Sequence, residues 1–234
     1  MNIYVFKRYE LKYLITPTQY LAIMREARQY LTPDAHGEAT VQSLYYDTDD
    51  YRLIRRSLEG PEYKEKLRVR SYGLAHEGYT VFIELKKKCS GIVYKRRIEA
   101  KFSDGENIST VISSDGSQIS REIAYFMDFY GDPRPKMLLL YDRTAYFGEG
   151  DLRITFDRNI RYRTDRLSLD ASLDGRPVRS DGRILMEVKT GTAIPLWLTG
   201  ILSRERIFKT SFSKYGEAYK IERSSNIAEV QKVG

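Results

Sequence analysis

The sequence has only one cysteine, Cys89, and only two histidines, His36 and His76. A single thiol excludes a disulfide within the chain and a cysteine-rich metal site, and it is typical of a protein from a reducing compartment. Both histidines fall in expected loops, so neither a histidine-based metal site nor a catalytic triad is indicated. The chemistry of this chain must come from other side chains.

Long apolar runs are also missing. No segment approaches the roughly 18 consecutive apolar residues of a transmembrane helix, and the start MNIYVFKRYELKY lacks the unbroken apolar stretch of a secretory signal. We therefore expect a soluble, cytoplasmic protein whose contact with a membrane would come through a membrane-protein partner or a basic patch. Glycine-rich nucleotide loops and protein-kinase signatures are missing too.

The composition is basic and rich in tyrosine. The 234 residues carry a net charge of +7 and include 19 tyrosines, with 41% hydrophobic residues overall. This length and apolar content suffice for one sizeable core, and the basic balance favours anionic partners. We expect a single domain over residues 1–223 and a flexible C-terminal tail over 224–234, because the segment SSNIAEVQKVG is small and polar.

Strand-like patterns dominate the chain. Eight strands are predicted, at residues 4–15, 41–47, 63–72, 79–88, 92–100, 136–147, 151–161 and 183–190. Tight turns at 90–92 and 148–151 predict antiparallel hairpins. Apolar stripes at helical spacing predict four helices, one after the Thr16-Pro17 cap and three over 118–130, 194–203 and 213–222.

Most of these strands have one apolar and one charged face. In VFIELKKK, Val81, Ile83 and Leu85 alternate with a face that carries Glu84, Lys86 and Lys88. Lys87 points away from this charged face and is predicted to be dispensable. Lysine and arginine dominate the charged faces, and a few glutamates lie two residues before a lysine, as in Glu10-x-Lys12, Glu84-x-Lys86 and Glu187-x-Lys189. A single charged face is ordinarily solvated, but repetition of the same basic pattern on most strands argues for a shared polyanion site.

The amphipathic helices need apolar surface to cover, and the apolar strand faces supply it. We therefore predict an α+β, mainly β fold: an eight-stranded antiparallel β-barrel with helices packed outside and the charged faces inside. So many cations in one interior require a polyanion. Carboxylates among them suit Mg²⁺ or Mn²⁺, which would bridge to phosphate oxygens.

The motifs resemble those of the triphosphate tunnel metalloenzymes, and most closely the catalytic domain of the vacuolar transporter chaperone (VTC) polyphosphate polymerases and their bacterial relatives. They follow one another over nearly the whole chain, and they are RYELKY (8–13), SLYYDT (43–48), EKLRVRSYG (65–73), VFIELKKK (81–88), GIVYKRR (91–97), YDRTAY (141–146), LRITFDRNI (152–160), LMEVK (185–189) and SFSKYG (211–216). The resemblance implies an eight-stranded triphosphate tunnel.

The resemblance also implies roles for individual residues. Catalytic roles fall to Arg68, Arg70, Lys86, Arg143 and Glu187. Glu187 would hold Mn²⁺ or Mg²⁺, with Glu10 and Glu84 as helpers. The remaining phosphate-binding residues would be Lys12, Lys66, Lys88, Lys95, Arg97, Lys189, Lys214 and one of Arg55 and Arg56, for which we take Arg56.

The implied activity is transfer of the ATP γ-phosphate to a growing polyphosphate chain. Tunnel proteins often open with Glu-x-Glu-x-Lys, but here Arg8 replaces the first carboxylate, which suits the polymerase branch better than the hydrolase branch. A tunnel hydrolase of tripolyphosphate or nucleoside triphosphates and a non-catalytic polyanion-binding module remain alternatives. A nucleic-acid binder would gain little from glutamates placed two residues from lysines, so no nucleic acid partner is expected.

Overall fold

The computed structural model describes residues 9–90, 92–103, 108–191 and 193–233, without the side chains of His36 and residues 226–233. The strands are β1 (Tyr9–Ile15), β2 (Thr32–Asp47), β3 (Tyr63–Tyr72), β4 (Thr80–Cys89), β5 (Ile92–Lys101), β6 (Arg134–Phe147), β7 (Arg153–Arg163), β8 (Arg176–Pro177), β9 (Ile184–Thr190) and β10 (Lys209–Thr210). The helices are α1 (Pro17–Ala27), α2 (Arg52–Leu58), α3 (Ile108–Asp115), α4 (Gln118–Phe129), α5 (Leu196–Arg204) and α6 (Lys214–Val233). The fold is α+β and mainly antiparallel β.

All eight predicted strands have a counterpart. The prediction for 63–72 is confirmed residue for residue, and most other bounds differ by one to three residues. Residues 4–8 of the predicted strand 4–15 lie outside the described residues. Within the described residues the largest difference is at β2, which begins at Thr32 and not at 41 and includes His36, a residue expected in a loop. The short strands β8 and β10 were not predicted, because two residues are too few to show an alternating pattern.

The four predicted helices are confirmed, and α1 shows why its start is readable from the sequence. The Thr16 hydroxyl accepts a hydrogen bond from the Gln19 backbone, and the Gln19 side chain returns one to the Thr16 backbone. Helices α2 and α3 were missed. They span only seven and eight residues. The residue before α2 is Tyr51, which has a left-handed φ of 59°, and a tyrosine at this position is not a recognisable capping residue in the sequence.

The strand order is β10-β1-β9-β7-β6-β2-β3-β4-β5, and β8 pairs with β7. Over the described part of the chain this order has two ends, β10 and β5, so the expected closed barrel is not confirmed. The physical reason is that alternating apolar and charged residues are the same in an open and in a closed sheet. The sequence pattern therefore predicted the faces without determining closure.

The chain divides into two compact units, and the first consists of residues 1–40, 141–160 and 179–213. Within it β9 pairs antiparallel with both β1 and β7, and β1 also pairs with β10. The apolar face of these strands packs against α1 and α5, with Ile15, Ile23, Phe156 and Leu198 fully buried. This arrangement confirms for unit 1 the prediction that helices cover the apolar strand faces.

The second unit consists of residues 41–140, 161–178 and 214–234. Strands β3, β4 and β5 form antiparallel pairs here, and β3 also pairs with residues 41–46 of β2. Leu67, Ile83, Leu85, Ile123 and Phe126 form part of a core between the apolar strand face and the helices α3 and α4. Each unit therefore has one helix-covered face and one polar face on its strands.

Several sequence predictions concern other parts of the chain. Arg8, on which the choice between polymerase and hydrolase branches partly rests, lies outside the described residues. The single domain over 1–223 and the flexible tail from 224 stay predictions. Cys89 is exposed and free. Among the helices of the described segments, none is both long and apolar enough to cross a bilayer.

Candidate functional site

Four side chains lie directly opposite one another on the polar face of unit 2. Tyr45 on β2 pairs with Arg68 on β3, Arg68 with Glu84 on β4, and Glu84 with Arg97 on β5. We call these four residues the Glu84 row. Because antiparallel partners place their side chains on the same side of the sheet, one carboxylate lies between two guanidinium groups.

Glu84 is the centre of an ion-pair cluster. Its Oε2 accepts a hydrogen bond of 2.9 Å from Arg68 Nε and lies 2.7 Å from Arg68 Nη2. Its Oε1 accepts 2.8 Å from Arg97 Nε and lies 2.7 Å from Lys95 Nζ, while Arg70 Nη2 is 3.8 Å from Oε2. The Glu84 side chain is only 1% exposed. Four cations therefore share one buried carboxylate.

These contacts shift the acid–base properties of the cluster. Burial acts to raise the pKa of Glu84, but Arg68, Arg70 and Lys95 outweigh it and hold this pKa far below the usual range. Burial lowers the pKa of Lys95 to about 8, with Arg70 and Arg97 adding to the decrease and Glu84 opposing it. Glu84 is thus ionised at neutral pH, and Lys95 is the cation of the cluster that loses its proton most readily.

A second row on the same face consists of lysines only. Lys66, Lys86 and Lys95 occupy directly opposed positions on β3, β4 and β5. Neighbouring strands lie about 4.8 Å apart, so these like charges repel one another unless an anion lies among them. By register, the whole polar face of β3–β5 carries two carboxylates, Glu84 and Glu99, against nine basic residues: Lys64, Lys66, Arg68, Arg70, Lys86, Lys88, Lys95, Arg97 and Lys101.

Three predicted phosphate ligands of unit 2 lie away from the Glu84 row. Lys88 is exposed at the far end of β4, opposite Lys64. Lys214 is the first residue of α6. Arg56 lies on α2 and lines a cavity of about 10 Å³ together with Glu65 and Tyr130. Its neighbour Arg55 is ion-paired with Asp50. The two arginines that the sequence left as alternatives therefore have different surroundings.

Unit 1 brings together acidic and basic residues in balanced number. We call them the Glu187 group, and they are Glu10, Lys12, Arg143, Asp157, Glu187 and Lys189. Lys12 lies opposite Glu187 and Glu10 opposite Lys189 in the β1–β9 register. The Lys12 ammonium is 3.6 Å from Glu10 Oε1 and 3.7 Å from Glu187 Oε1, and it donates to the Phe212 carbonyl at 3.1 Å. Two carboxylates therefore converge on one cation.

Arg143 is held in this group by a fully buried partner. Its Nε and Nη2 donate to the two carboxylate oxygens of Asp157 at 2.6 and 2.8 Å, and Nη2 is 3.8 Å from Glu187 Oε2. A bidentate pair of this kind fixes both the position and the plane of a guanidinium. Arg143 also lies 5.0 Å from the centroid of the Tyr141 ring. The predicted catalytic arginine is thus preorganised beside the predicted metal ligand.

The fold and these two groups can now be compared with known proteins. A family model described as the VTC domain matches residues 7–222. The chain belongs to the VTC domain family. The match covers every motif on which the resemblance was based, from RYELKY to SFSKYG. Comparison with curated proteins gives no sequence match.

Two solved structures share the fold of this VTC domain. A candidate adenylate cyclase from Bacillus halodurans is 14% identical, with a TM-score of 0.53, and the match covers 88% of this chain and 95% of that one. A candidate adenylyl cyclase from Hippeastrum, described as having a dominant triphosphatase activity, is 16% identical, with a TM-score of 0.51 and coverage of 88% and 92%. At such identities the likeness shows the fold alone.

In the described part of unit 1, two of the predicted metal ligands lie within 4 Å of the same ammonium group. Glu10 and Glu187 are both directed at the Lys12 ammonium, and two carboxylates completed by phosphate oxygens are a usual protein contribution to Mg²⁺ binding. Among the described residues no three acidic, histidine or cysteine side chains form a metal-binding group. The ion pairs of Glu84 favour a role in holding arginines over the metal role predicted for it.

Several ion-pair and hydrogen-bond partners of these side chains were not predicted from the sequence. Asp157 follows Arg153 and Thr155 on the polar face of β7, but no short motif links it to Arg143. Lys87 faces away from the cluster as predicted, yet its ammonium lies 3.6 Å from Glu65, a buried carboxylate that also accepts a hydrogen bond from the Tyr130 hydroxyl. Such partners depend on strand register and helix packing, which no local pattern in the sequence reports.

Proposed function

We propose that this VTC domain is a metal-dependent polyphosphate polymerase that transfers the ATP γ-phosphate to a growing polyphosphate chain. The proposal rests on the polar face of β3–β5, which carries nine basic residues and only two carboxylates. Three opposed lysines beside locked arginines are suited to a ligand with several closely spaced negative charges. A linear polyphosphate is such a ligand.

In this proposal the arginines and lysines of unit 2 bind phosphoryl oxygens. Arg68, Arg70 and Lys86 would stabilise charge on the transferring group, and Lys66, Lys88, Lys95 and Arg97 would bind the chain. Glu84 keeps Arg68 and Arg97 in fixed orientations through its two oxygens. Groups held in place before the reaction stabilise developing charge without reorganising during it.

In unit 1, Glu187 with Glu10 would hold Mn²⁺ or Mg²⁺, and Lys12, Arg143 and Lys189 would bind further phosphate oxygens. In unit 2, Lys214 is proposed as a further phosphate-binding residue. The bound ion would neutralise charge on the phosphates. The terminal phosphate oxygen of the chain attacks the γ-phosphorus of ATP in line, the bond from that phosphorus to the β–γ bridging oxygen breaks, and ADP leaves. The attacking oxygen is already anionic, so this reaction requires no general base.

Hydrolysis of tripolyphosphate or nucleoside triphosphates is the second candidate. It is favoured by the shared fold of the Hippeastrum protein, which has a dominant triphosphatase activity. The same basic residues would bind the substrate, and water would replace the chain end as the attacking group. A module that binds polyanions without turnover is the non-enzymatic alternative.

The test is incubation with ATP and Mn²⁺ or Mg²⁺, with the products separated by chain length on a gel. A ladder of lengthening chains supports the polymerase, and orthophosphate without longer chains identifies a hydrolase. Tripolyphosphate binding without any product identifies the binding module. Arg97→Ala should remove the activity, whereas Arg96→Ala is a matched control because Arg96 faces the opposite side of β5 and pairs with Glu122.

A further inference from the structure

Tyr45 occupies the end of the Glu84 row, and the reaction proposed above gives it no part. Its hydroxyl accepts a hydrogen bond of 2.9 Å from Arg68 Nη1. The side chain is almost completely buried, with 8% of the residue exposed. A buried phenol oxygen on a functional guanidinium is a candidate for controlling how that guanidinium is oriented.

Arg68 is held at both ends of its guanidinium. Nε and Nη2 contact Glu84 Oε2 at 2.9 and 2.7 Å, and Nη1 contacts the Tyr45 hydroxyl at 2.9 Å. A single carboxylate oxygen leaves the guanidinium free to rock about that contact, and a second acceptor at the other end removes this freedom. The two contacts together define the plane of the guanidinium.

Tyr45 is itself fixed by a chain of contacts. Its ring stacks on the Tyr215 ring, with centroids 4.5 Å apart and planes 20° from parallel. The Tyr215 hydroxyl donates to Asp47 Oδ2 at 2.9 Å. Asp47 is fully buried and accepts backbone hydrogen bonds from Leu53 and Ile54 at the start of α2. The position of Tyr45 is therefore tied to two helices.

The chemistry of the two acceptors differs in a useful way. Glu84 supplies negative charge, which stabilises the clustered cations but reduces the charge available for phosphate. The Tyr45 hydroxyl orients Arg68 without adding charge, because a phenol hydroxyl is an uncharged acceptor. Glu84 therefore stabilises the cluster, and Tyr45 orients Arg68 within it.

We infer that Tyr45 is a positioning residue for Arg68, supported by Tyr215 and Asp47, and that it raises the affinity of the cluster for phosphoryl groups. The inference rests on the proposed function, because it assumes that Arg68 binds phosphate. The inference assigns a role to the contacts that run from Tyr45 through Tyr215 to Asp47.

Two measurements on Tyr45→Phe test this inference, and Tyr94→Phe serves as control. Tyr94 is exposed and lies opposite Lys87, on the other side of the sheet. Binding of inorganic tripolyphosphate, measured by calorimetry, should weaken about tenfold in Tyr45→Phe, the size of a lost hydrogen bond to a charged group. NMR should show faster hydrogen exchange of the Arg68 Nε–H. Tyr94→Phe should match wild type in both measurements.

A double-mutant cycle with Arg68→Lys separates positioning from a general structural effect. Lysine has no planar group to orient, so Tyr45→Phe should have little further effect on binding in the Arg68→Lys background. An equal loss of affinity in both backgrounds would overturn the inference, as would unchanged affinity in Tyr45→Phe alone. A fall in the melting temperature that explains the lost affinity would overturn it too.

The outcomes also distinguish this inference from the proposed function. If wild type does not bind tripolyphosphate, the proposed function fails. Faster Arg68 Nε–H exchange in Tyr45→Phe would then still support the positioning contact, and unchanged exchange would overturn it. If wild type binds tripolyphosphate but Tyr45→Phe binds it equally well, only the positioning role fails.

Discussion

The ion-pair cluster around Glu84 and the Glu187 group use the same charged residue types in different proportions. In unit 2 a single buried carboxylate is in contact with Arg68, Arg70, Lys95 and Arg97. In unit 1 the carboxylates of Glu10, Asp157 and Glu187 are matched by Lys12, Arg143 and Lys189. An excess of cations attracts phosphate, whereas a balanced group has carboxylate oxygens to offer to a cation. The ratio of charges, more than their presence, distinguishes the proposed roles.

The largest expected effect concerns the metal role of the Glu187 group. Glu187→Gln keeps the size of the side chain but removes its charge, so metal-dependent turnover should fall about a thousandfold. Tripolyphosphate binding measured without metal should not weaken. The matched control is Glu38→Gln, because Glu38 lies in the same unit and is exposed. Full turnover in Glu187→Gln would contradict the metal role proposed for the Glu187 group.

The second effect concerns the stability of the Glu84 row. Glu84→Gln leaves the buried Arg70 and three partly exposed cations without their counter-charge. Because solvent screens the exposed cations, the free energy of unfolding should fall by about 3 kcal/mol, the lower end of the range for a broken buried pair. Urea unfolding with and without tripolyphosphate measures this change, and the ligand should restore much of the loss. Restoration by Mn²⁺ alone would contradict the role in holding arginines.

The pH dependence of the Glu84 effect has a definite sign. The pKa of Glu84 is lowered on folding because Arg68, Arg70 and Lys95 outweigh the opposing effect of burial. Its stabilising contribution is therefore complete above the unfolded pKa of about 4.3 and is lost as the pH falls below it. The stability difference between wild type and Glu84→Gln should shrink in acid. A constant difference down to strongly acidic pH would show that charge is not its cause.

The third effect is a smaller one, on the pH dependence of phosphate binding. Burial lowers the pKa of Lys95 to about 8, so Lys95 is charged below this pH and progressively neutral above it. Affinity for tripolyphosphate should fall as the pH rises through about 8, by up to about tenfold per unit. The ligand only gains negative charge over this range, so its own titration cannot cause the loss. Lys95→Arg should remove the step, and an unchanged step would assign it to another group.

The smallest effect compares two neighbouring lysines of β4 on opposite faces. Lys87 was predicted to be dispensable, but it lies 3.6 Å from the buried Glu65 carboxylate. Lys87→Met should lower the free energy of unfolding by about 1 kcal/mol without changing tripolyphosphate affinity. Lys88→Met should lower the affinity for tripolyphosphate without changing the free energy of unfolding. Thermal unfolding and calorimetry on the two variants decide whether the faces are as separate as the register indicates.

Much of the candidate site could be predicted because alternation along a strand is a local property. The face shared by Glu84, Lys86 and Lys88 follows from the period of two, and the structure places Glu84 and Lys86 opposite Arg97 and Lys95. For Arg56 this reasoning gives no placement, and its phosphate-binding role stays a prediction. Arg56 lies on α2, a seven-residue helix too short to show a clear pattern, and therefore has no place on any strand face.

Eight of the strands, the side chains that share a face and the family resemblance could be predicted from the sequence, since they follow from short-range patterns and motif order. The folded structure was needed to show that Glu84 is buried among four cations, that Asp157 holds Arg143, and that Tyr45 contacts Arg68. The partner of a charged side chain depends on the register between strands distant in sequence. That register is selected by the packing of the whole core.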